Sequence, residues 1–230
     1  MLILENIITI DGPSGVGKGT LAMSLAKKLH WNYLNSGSLY RILAYLSGQQ
    51  KIEDSNTEAL VNLTKNLSVE FEINNNELVV ILDDKNISNM IQTEDCAKKA
   101  SIIASNNTVR KSLIKTQRMF YKEPGLVAEG RDMGSVIFQQ AKFKFFLQAS
   151  TKIRTERRHK QLKQKGINVS LSRLISELDR RDKRDLSRKS SPLIIPTGAV
   201  VINTDDLTIA EVMDQVMKHS KKLFETKKQK

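Results

Sequence analysis

At 230 residues the chain can bury one sizeable core, and 40% hydrophobic residues mark it as globular rather than disordered. No apolar run approaches the roughly 20 residues that span a bilayer, the histidines (His30, His159, His219) are too scattered for a metal site, and the single cysteine, Cys96, suits a reducing cytoplasm. A net charge of +12, from 37 basic and 25 acidic residues, draws polyanions, whether nucleotides or nucleic acid, although the lysine-rich tail over 218–230 reads as a solvated helix end.

The apolar stretch 1–10 lacks a basic start, contains Glu5 and runs into a glycine loop. It predicts a first buried strand ending at Asp11 rather than a signal peptide. Leu21, Ala22, Leu25 and Leu29 fall at helical spacing and predict a helix over 18–29. A strand over 31–34, a loop at Asn35-Ser36-Gly37 and a helix over 38–46 complete an opening typical of parallel sheets. Alternation over 67–73, a turn at Asn74-Asn75-Asn76 and an apolar run over 78–82 then predict an antiparallel hairpin, read as a small insert over 67–91. Helices are expected over 93–104 and 108–121, strands over 126–128 and 143–147, and a basic helix over 151–165 that ends at Gly166. A charged helix over 170–184, a strand over 199–202 and a helix over 208–223 finish the chain, with no internal repeat.

The loop Gly12-Pro13-Ser14-Gly15-Val16-Gly17-Lys18-Gly19-Thr20 follows a strand and opens a helix, the context of a phosphate loop. Its glycines let backbone N–H groups turn towards phosphate oxygens, the helix N-terminus adds partial positive charge, and Lys18 reaches the β- and γ-phosphates of a nucleoside triphosphate. The residue after the lysine is Gly19 where the general pattern has Ser or Thr. Either Thr20 supplies the hydroxyl for magnesium, or waters hold the ion.

A phosphate acceptor is itself an anionic nucleophile, so it needs cations to hold two repelling phosphates in line rather than a general base. Arg41 lies a turn into its helix, and Arg131 follows a strand end, where open α/β sheets bind ligands. Arg154, Arg157 and Arg158 share a helix face by spacing. Arg181, Asp185 and Arg188 do so too, if their helix persists that far.

The glycine loop, Asn35-Ser36-Gly37-Ser38-Leu39-Tyr40-Arg41, Glu129-Gly130-Arg131-Asp132-Met133-Gly134, and Arg181-Asp182-Lys183-Arg184-Asp185 with Arg188 together resemble the bacterial cytidylate kinases, over essentially the whole chain. The resemblance implies an α/β P-loop NTPase fold with a parallel central sheet and helices on both faces. It implies a single domain over 1–230, with an antiparallel nucleotide-binding insert at about 60–105 and a short helical lid at about 152–168 bearing Arg154, Arg157 and Arg158. It implies transfer of the γ-phosphoryl of ATP to CMP or dCMP with Mg²⁺, in the cytoplasm, by a monomer that requires neither membrane nor nucleic acid. Lys18, Arg131, Arg154, Arg157 and Arg158 would be the catalytic cations. Ser36, Tyr40, Arg41 and Arg131 would contact the CMP phosphate, Ser101, Arg110, Asp132 and Arg188 the cytosine, and Arg181 and Asp185 the sugar. A carboxylate accepting from cytosine N4 would meet an acceptor in uracil. Two positions depart from the family pattern: Asn35 and Glu129 stand where Asp is common. Rival expectations are a kinase of UMP, AMP or shikimate and a nucleic-acid-associated ATPase.

Overall fold

A computed structural model describes residues 6–65, 67–164, 166–188 and 190–220. The expected lysine tail past 220 and the last residues of the final helix lie outside the described residues. The chain divides into two compact units, one comprising the segments up to Leu21 and from Arg131 onward, the other Ala22–Gly130. No helix among the described residues is long and apolar enough to cross a membrane.

In the first unit, β1 (Ile7–Asp11) is buried along its whole length, as a strand covered on both faces must be. It pairs in parallel with β7 (Phe143–Gln148), Ile8 opposite Phe143 and Asp11 opposite Phe146, and β7 pairs in parallel with β8 (Val200–Asn203). The helices α7 (Thr151–Gln164) and α8 (Leu171–Ser187) pack together, and α9 (Ile209–His219) opens on a capping box formed by Thr208 and Glu211. Helix α8 extends three residues past its expected end, so Arg181 and Asp185 do share one helix and Arg188 is its C-cap. Gly166, at φ +74°, ends α7 as expected, with Ile167 N–H donating to Leu162 O at 2.9 Å. A single turn of π-helix, Met133–Ile137, follows Asp132 and has no counterpart in the sequence expectation.

Helix α1 (Lys18–Leu29) opens at the lysine of the glycine loop and buries Leu21, Ala22, Leu25 and Ala26. In the second unit, β2 (Asn32–Asn35) pairs in parallel with β6 (Leu126–Gly130), placing Asn35 directly opposite Glu129. The expected loop at Asn35-Ser36-Gly37 is instead a helix start. Asn35 is the N-cap of α2 (Ser36–Gln49), its side chain accepting from Ser38 N–H at 2.9 Å.

The hairpin is as expected: β3 (Val69–Asn74) and β4 (Glu77–Leu82) run antiparallel, joined by Asn75 and Asn76, both at positive φ, as the right-handed strand twist favours. A two-residue strand β5 (Lys85–Asn86) and the helices α3 (Thr57–Thr64) and α4 (Ser88–Ile91) were not foreseen. Helices α5 (Glu94–Ile103) and α6 (Asn107–Arg118) complete this unit. Its core joins Tyr40, Leu43 and Ala44 of α2 to Leu60 of α3, Ala100 and Ile103 of α5, and Val109 and Leu113 of α6.

Candidate active site

The two units each carry part of the expected machinery. In the first, Gly12 must be glycine: its φ is +145°, and a Cβ there would collide with the carbonyl oxygen of Leu147 on β7. Lys18 Nζ donates back across the loop to Pro13 O at 2.6 Å. Two arginines of α7 brace the loop from behind. Arg154, only 4% exposed, donates from Nη1 to Ser14 O at 3.2 Å and to Asp182 of α8 at 2.6 Å. Arg157 donates to the hydroxyl and carbonyl of Thr204, and that hydroxyl donates to Val16 O at 3.3 Å. The two arginines thus share a helix but engage different partners, and Arg158 is half-buried on the same helix. Gly19 is half-buried, while Thr20 is exposed in the first turn of α1.

The Gly-Arg-Asp-Met-Gly run leaves the end of β6 and enters the π-turn. Arg131 donates from Nε to Asp185 Oδ2 at 2.7 Å, and Arg188 stands 3.8 Å from the other oxygen. Burial alone would push the Asp185 carboxyl up, but the Arg131, Arg188 and Arg181 guanidiniums outweigh it and hold it below the usual carboxylate range. Asp132 is buried at the head of the π-turn. Arg131, Arg181, Asp185 and Arg188, widely separated in sequence, therefore form one electrostatic cluster.

In the second unit Ser36, Tyr40 and Arg41 lie on the first turns of α2, Ser101 on α5 and Arg110 on α6. Ser36 donates to Gln117 at 2.7 Å, both side chains buried. The Arg110 guanidinium sits 5.4 Å from the Tyr40 ring centroid and donates to Ala104 O at 3.2 Å. Arg41 donates to Ile91 O at 2.6 Å, which ties α2 to the end of α4.

Three residues not singled out as site candidates belong to these assemblies. Gln117 orients Ser36. Tyr33 donates from its buried hydroxyl to Glu129 Oε1 at 2.6 Å, and Asn35 Nδ2 donates to the same oxygen at 2.8 Å. Burial first, then the neighbouring Glu129 charge, holds the Tyr33 phenol well above its ordinary value, so it stays a donor. The two departures from the family pattern therefore touch: the amide of Asn35 grips the carboxylate of Glu129, where two acids would repel. Asp11 is the third, and both its oxygens accept backbone N–H groups of the π-turn. Only the register of β2 and β6 could have hinted at one of these contacts, that of Asn35 with Glu129.

A family model described as cytidylate kinase matches residues 8–222. The chain belongs to this family. Among curated relatives, the cytidylate kinase of Yersinia enterocolitica serotype O:8 is 43% identical over 218 residues, 95% of each chain. That of Yersinia pestis strain Pestoides F is 41% identical over 224 residues, 97% of each. Among solved structures, a gluconokinase from Sinorhizobium meliloti 1021 covers 98% of this chain and 97% of its own at 13% identity and a TM-score of 0.44, too distant to bear on the site. Family membership over this span accounts for the glycine loop that opens α1, the parallel strands and the antiparallel insert together as a P-loop kinase fold. An exposed Thr20 two residues past Lys18, and a Gly19 without any hydroxyl, would suit a hydrated ion carried by the nucleotide better than a protein-built cage.

Proposed function

We propose that the chain transfers the γ-phosphoryl group of ATP to CMP or dCMP, giving ADP and CDP or dCDP, in the cytoplasm. The two units would act as one kinase domain, with the insert at about 60–105 and the lid at about 152–168. The observation that carries the reading is the linkage inside the first unit. Asp11 adjoins Gly12 of the phosphate loop and holds the backbone just past Arg131, whose guanidinium is itself fixed by Asp185. The donor loop and the acceptor cation Arg131 would thus be built as one piece, which is what phosphate-to-phosphate transfer requires.

On this reading the backbone N–H groups of Gly12–Thr20 and the Lys18 ammonium hold the triphosphate. Mg²⁺, carried with ATP and approached by the Thr20 hydroxyl, would neutralise charge on the β- and γ-oxygens. Arg131, with Arg154, Arg157 and Arg158 of the lid, stabilises the equatorial charge of the transferring group. Arg154 and Arg157 also keep the loop in shape through Ser14 and Val16. Ser36, Tyr40, Arg41 and Arg131 are assigned to the acceptor phosphate. Ser101, Arg110, Asp132 and Arg188 are assigned to cytosine, and Arg181 and Asp185 to the sugar. No general base is required, because the acceptor oxygen is already anionic.

A coupled ADP-release assay over CMP, dCMP, UMP, AMP, shikimate and no acceptor tests this, with RNA added in a parallel arm. CMP and dCMP are expected to drive turnover far above the rest, Lys18→Ala to abolish it with every acceptor, and Asp132→Ala to lose the preference for cytosine. No acceleration by CMP over UMP, or RNA-stimulated hydrolysis instead, would overturn the assignment.

A further inference from the structure

Asp11 is the last residue of β1, is fully buried, and is assigned above to neither substrate. Its Oδ1 accepts the backbone N–H of Met133 and its Oδ2 that of Gly134, each at 2.8 Å. These are the first two residues of the π-turn, and a helical turn leaves its first N–H groups without partners of its own. Asp132, at the N-cap position, makes no side-chain capping bond. A carboxylate 122 residues away in sequence therefore performs the capping that a local Ser or Asp performs elsewhere.

The turn is also closely packed at Gly134. A Cβ on Gly134 would lie 2.9 Å from Thr9 Oγ1 and 3.0 Å from Pro196 Cγ. The backbone after Asp132 is thus seated between β1 and the 196 loop with no room for a side chain. Burying a carboxylate is costly unless it is well bonded. Asp11 is raised from 3.8 to about 7: burial, with a smaller push from Asp132, outweighs the downward pull of the Gly134 and Met133 N–H groups and of Lys18. An asparagine in its place would present its NH₂ to one of two N–H donors, so the site specifically needs two acceptor atoms.

We propose that Asp11 is a positioning residue for acceptor recognition: by capping the turn at Met133 and Gly134 it fixes the backbone that carries Arg131 and Asp132. This rests on the reading of the chain as a cytidylate kinase. Both hydrogen bonds of Asp11 go to the acceptor-reading run, whereas Lys18 meets it through charge alone, so its loss falls more on CMP than on ATP.

The test uses the full-length chain with Asp11→Asn and, at the closely packed point of the same turn, Gly134→Ala. Each variant is assayed for KM and kcat with CMP, UMP and ATP, alongside thermal melting. Both are expected to raise the KM for CMP about tenfold, the scale of a lost bond to a charged group, and to narrow the CMP-to-UMP preference. The KM for ATP should move less than about threefold. Asp11→Glu, which keeps two acceptors, should recover part of the preference. Parallel rises in both KM values, or a lowered melting temperature with unchanged preference, would show Asp11 to be merely structural. If Asp11→Asn does not fold, Gly134→Ala decides between these outcomes by the same split. Failure of the wild type to prefer CMP would instead sink the underlying functional assignment.

Discussion

Removing one oxygen atom, in Tyr33→Phe, tests how the end of β2 and β6 is held. The Tyr33 hydroxyl donates to Glu129 Oε1 at 2.6 Å in a buried setting, and phenylalanine keeps the ring that meets Phe71 edge-on at 6.3 Å. The change therefore deletes the charge-assisted hydrogen bond to Glu129 and the longer one that the hydroxyl accepts from Asn35 Nδ2 at 3.3 Å, with little repacking. Charge-assisted bonds contribute about 1.5–3 kcal/mol. Because Asn35 Nδ2 still donates to Oε1 at 2.8 Å, a loss of about 2 kcal/mol is expected. For a chain of this size each kcal/mol lowers the melting temperature by about 2–4 °C, so the shift should be about 4–8 °C. Urea unfolding measures the loss directly, with an unchanged slope as the control for the denatured state. A double-mutant cycle with Glu129→Gln isolates the pair and should give a coupling of about 1 kcal/mol or more. A loss under about 0.5 kcal/mol, or strictly additive single changes, would refute the claim that Tyr33 holds the carboxylate.

Two pH dependences of opposite sign follow from the buried acids of the first unit. Asp185 titrates below its ordinary value, so its contribution is present above about pH 4 and lost as the solution is acidified below that. Asp185→Asn should flatten acid unfolding, cost about 3 kcal/mol near neutrality and raise the KM for CMP more than that for ATP. Asp11 is raised from 3.8 to about 7, so its contribution is complete below pH 3.8 and is lost as pH climbs to about 7. Melting curves of Asp11→Asn should lack that decline, and an unchanged slope between pH 4 and 7 would contradict the assignment.

Local chemistry made the glycine loop, the Asn75-Asn76 turn and the Gly166 stop legible, because each depends on residues within one turn of chain. The helix over 57–64 was not, since its start is set by Asn56, whose side chain accepts from Ala59 N–H in an otherwise polar stretch, and only Leu60 and Thr64 are buried. Asn35-Ser36-Gly37 misled for the opposite reason. Loop-forming residues are also N-capping residues, and nothing local distinguishes the two uses. The clustering of Arg131 with Asp185, and of Ser36 with Gln117, joins residues 54 and 81 positions apart. Types and spacing supplied most of these names. Which side chain grips which came only with the tertiary fold.

That distinction changes the meaning of the +12 charge. Counted along the sequence, the acidic residues only dilute a basic chain. In the fold, two of the arginines assigned to phosphate transfer are held by largely buried carboxylates: Arg131 by Asp185 at 2.7 Å, Arg154 by Asp182 at 2.6 Å. A solvated arginine must give up rotamer freedom and reorganise as charge develops on the transferring group. One already tethered to a carboxylate has done so beforehand. Electrostatic catalysis depends on cations held in place in advance, so on the proposed assignment Asp182 and Asp185 would belong to the machinery as much as the arginines they hold. A variant that keeps every arginine but loses Asp182, which is assigned to neither substrate, should bind nucleotide phosphate and still transfer it poorly.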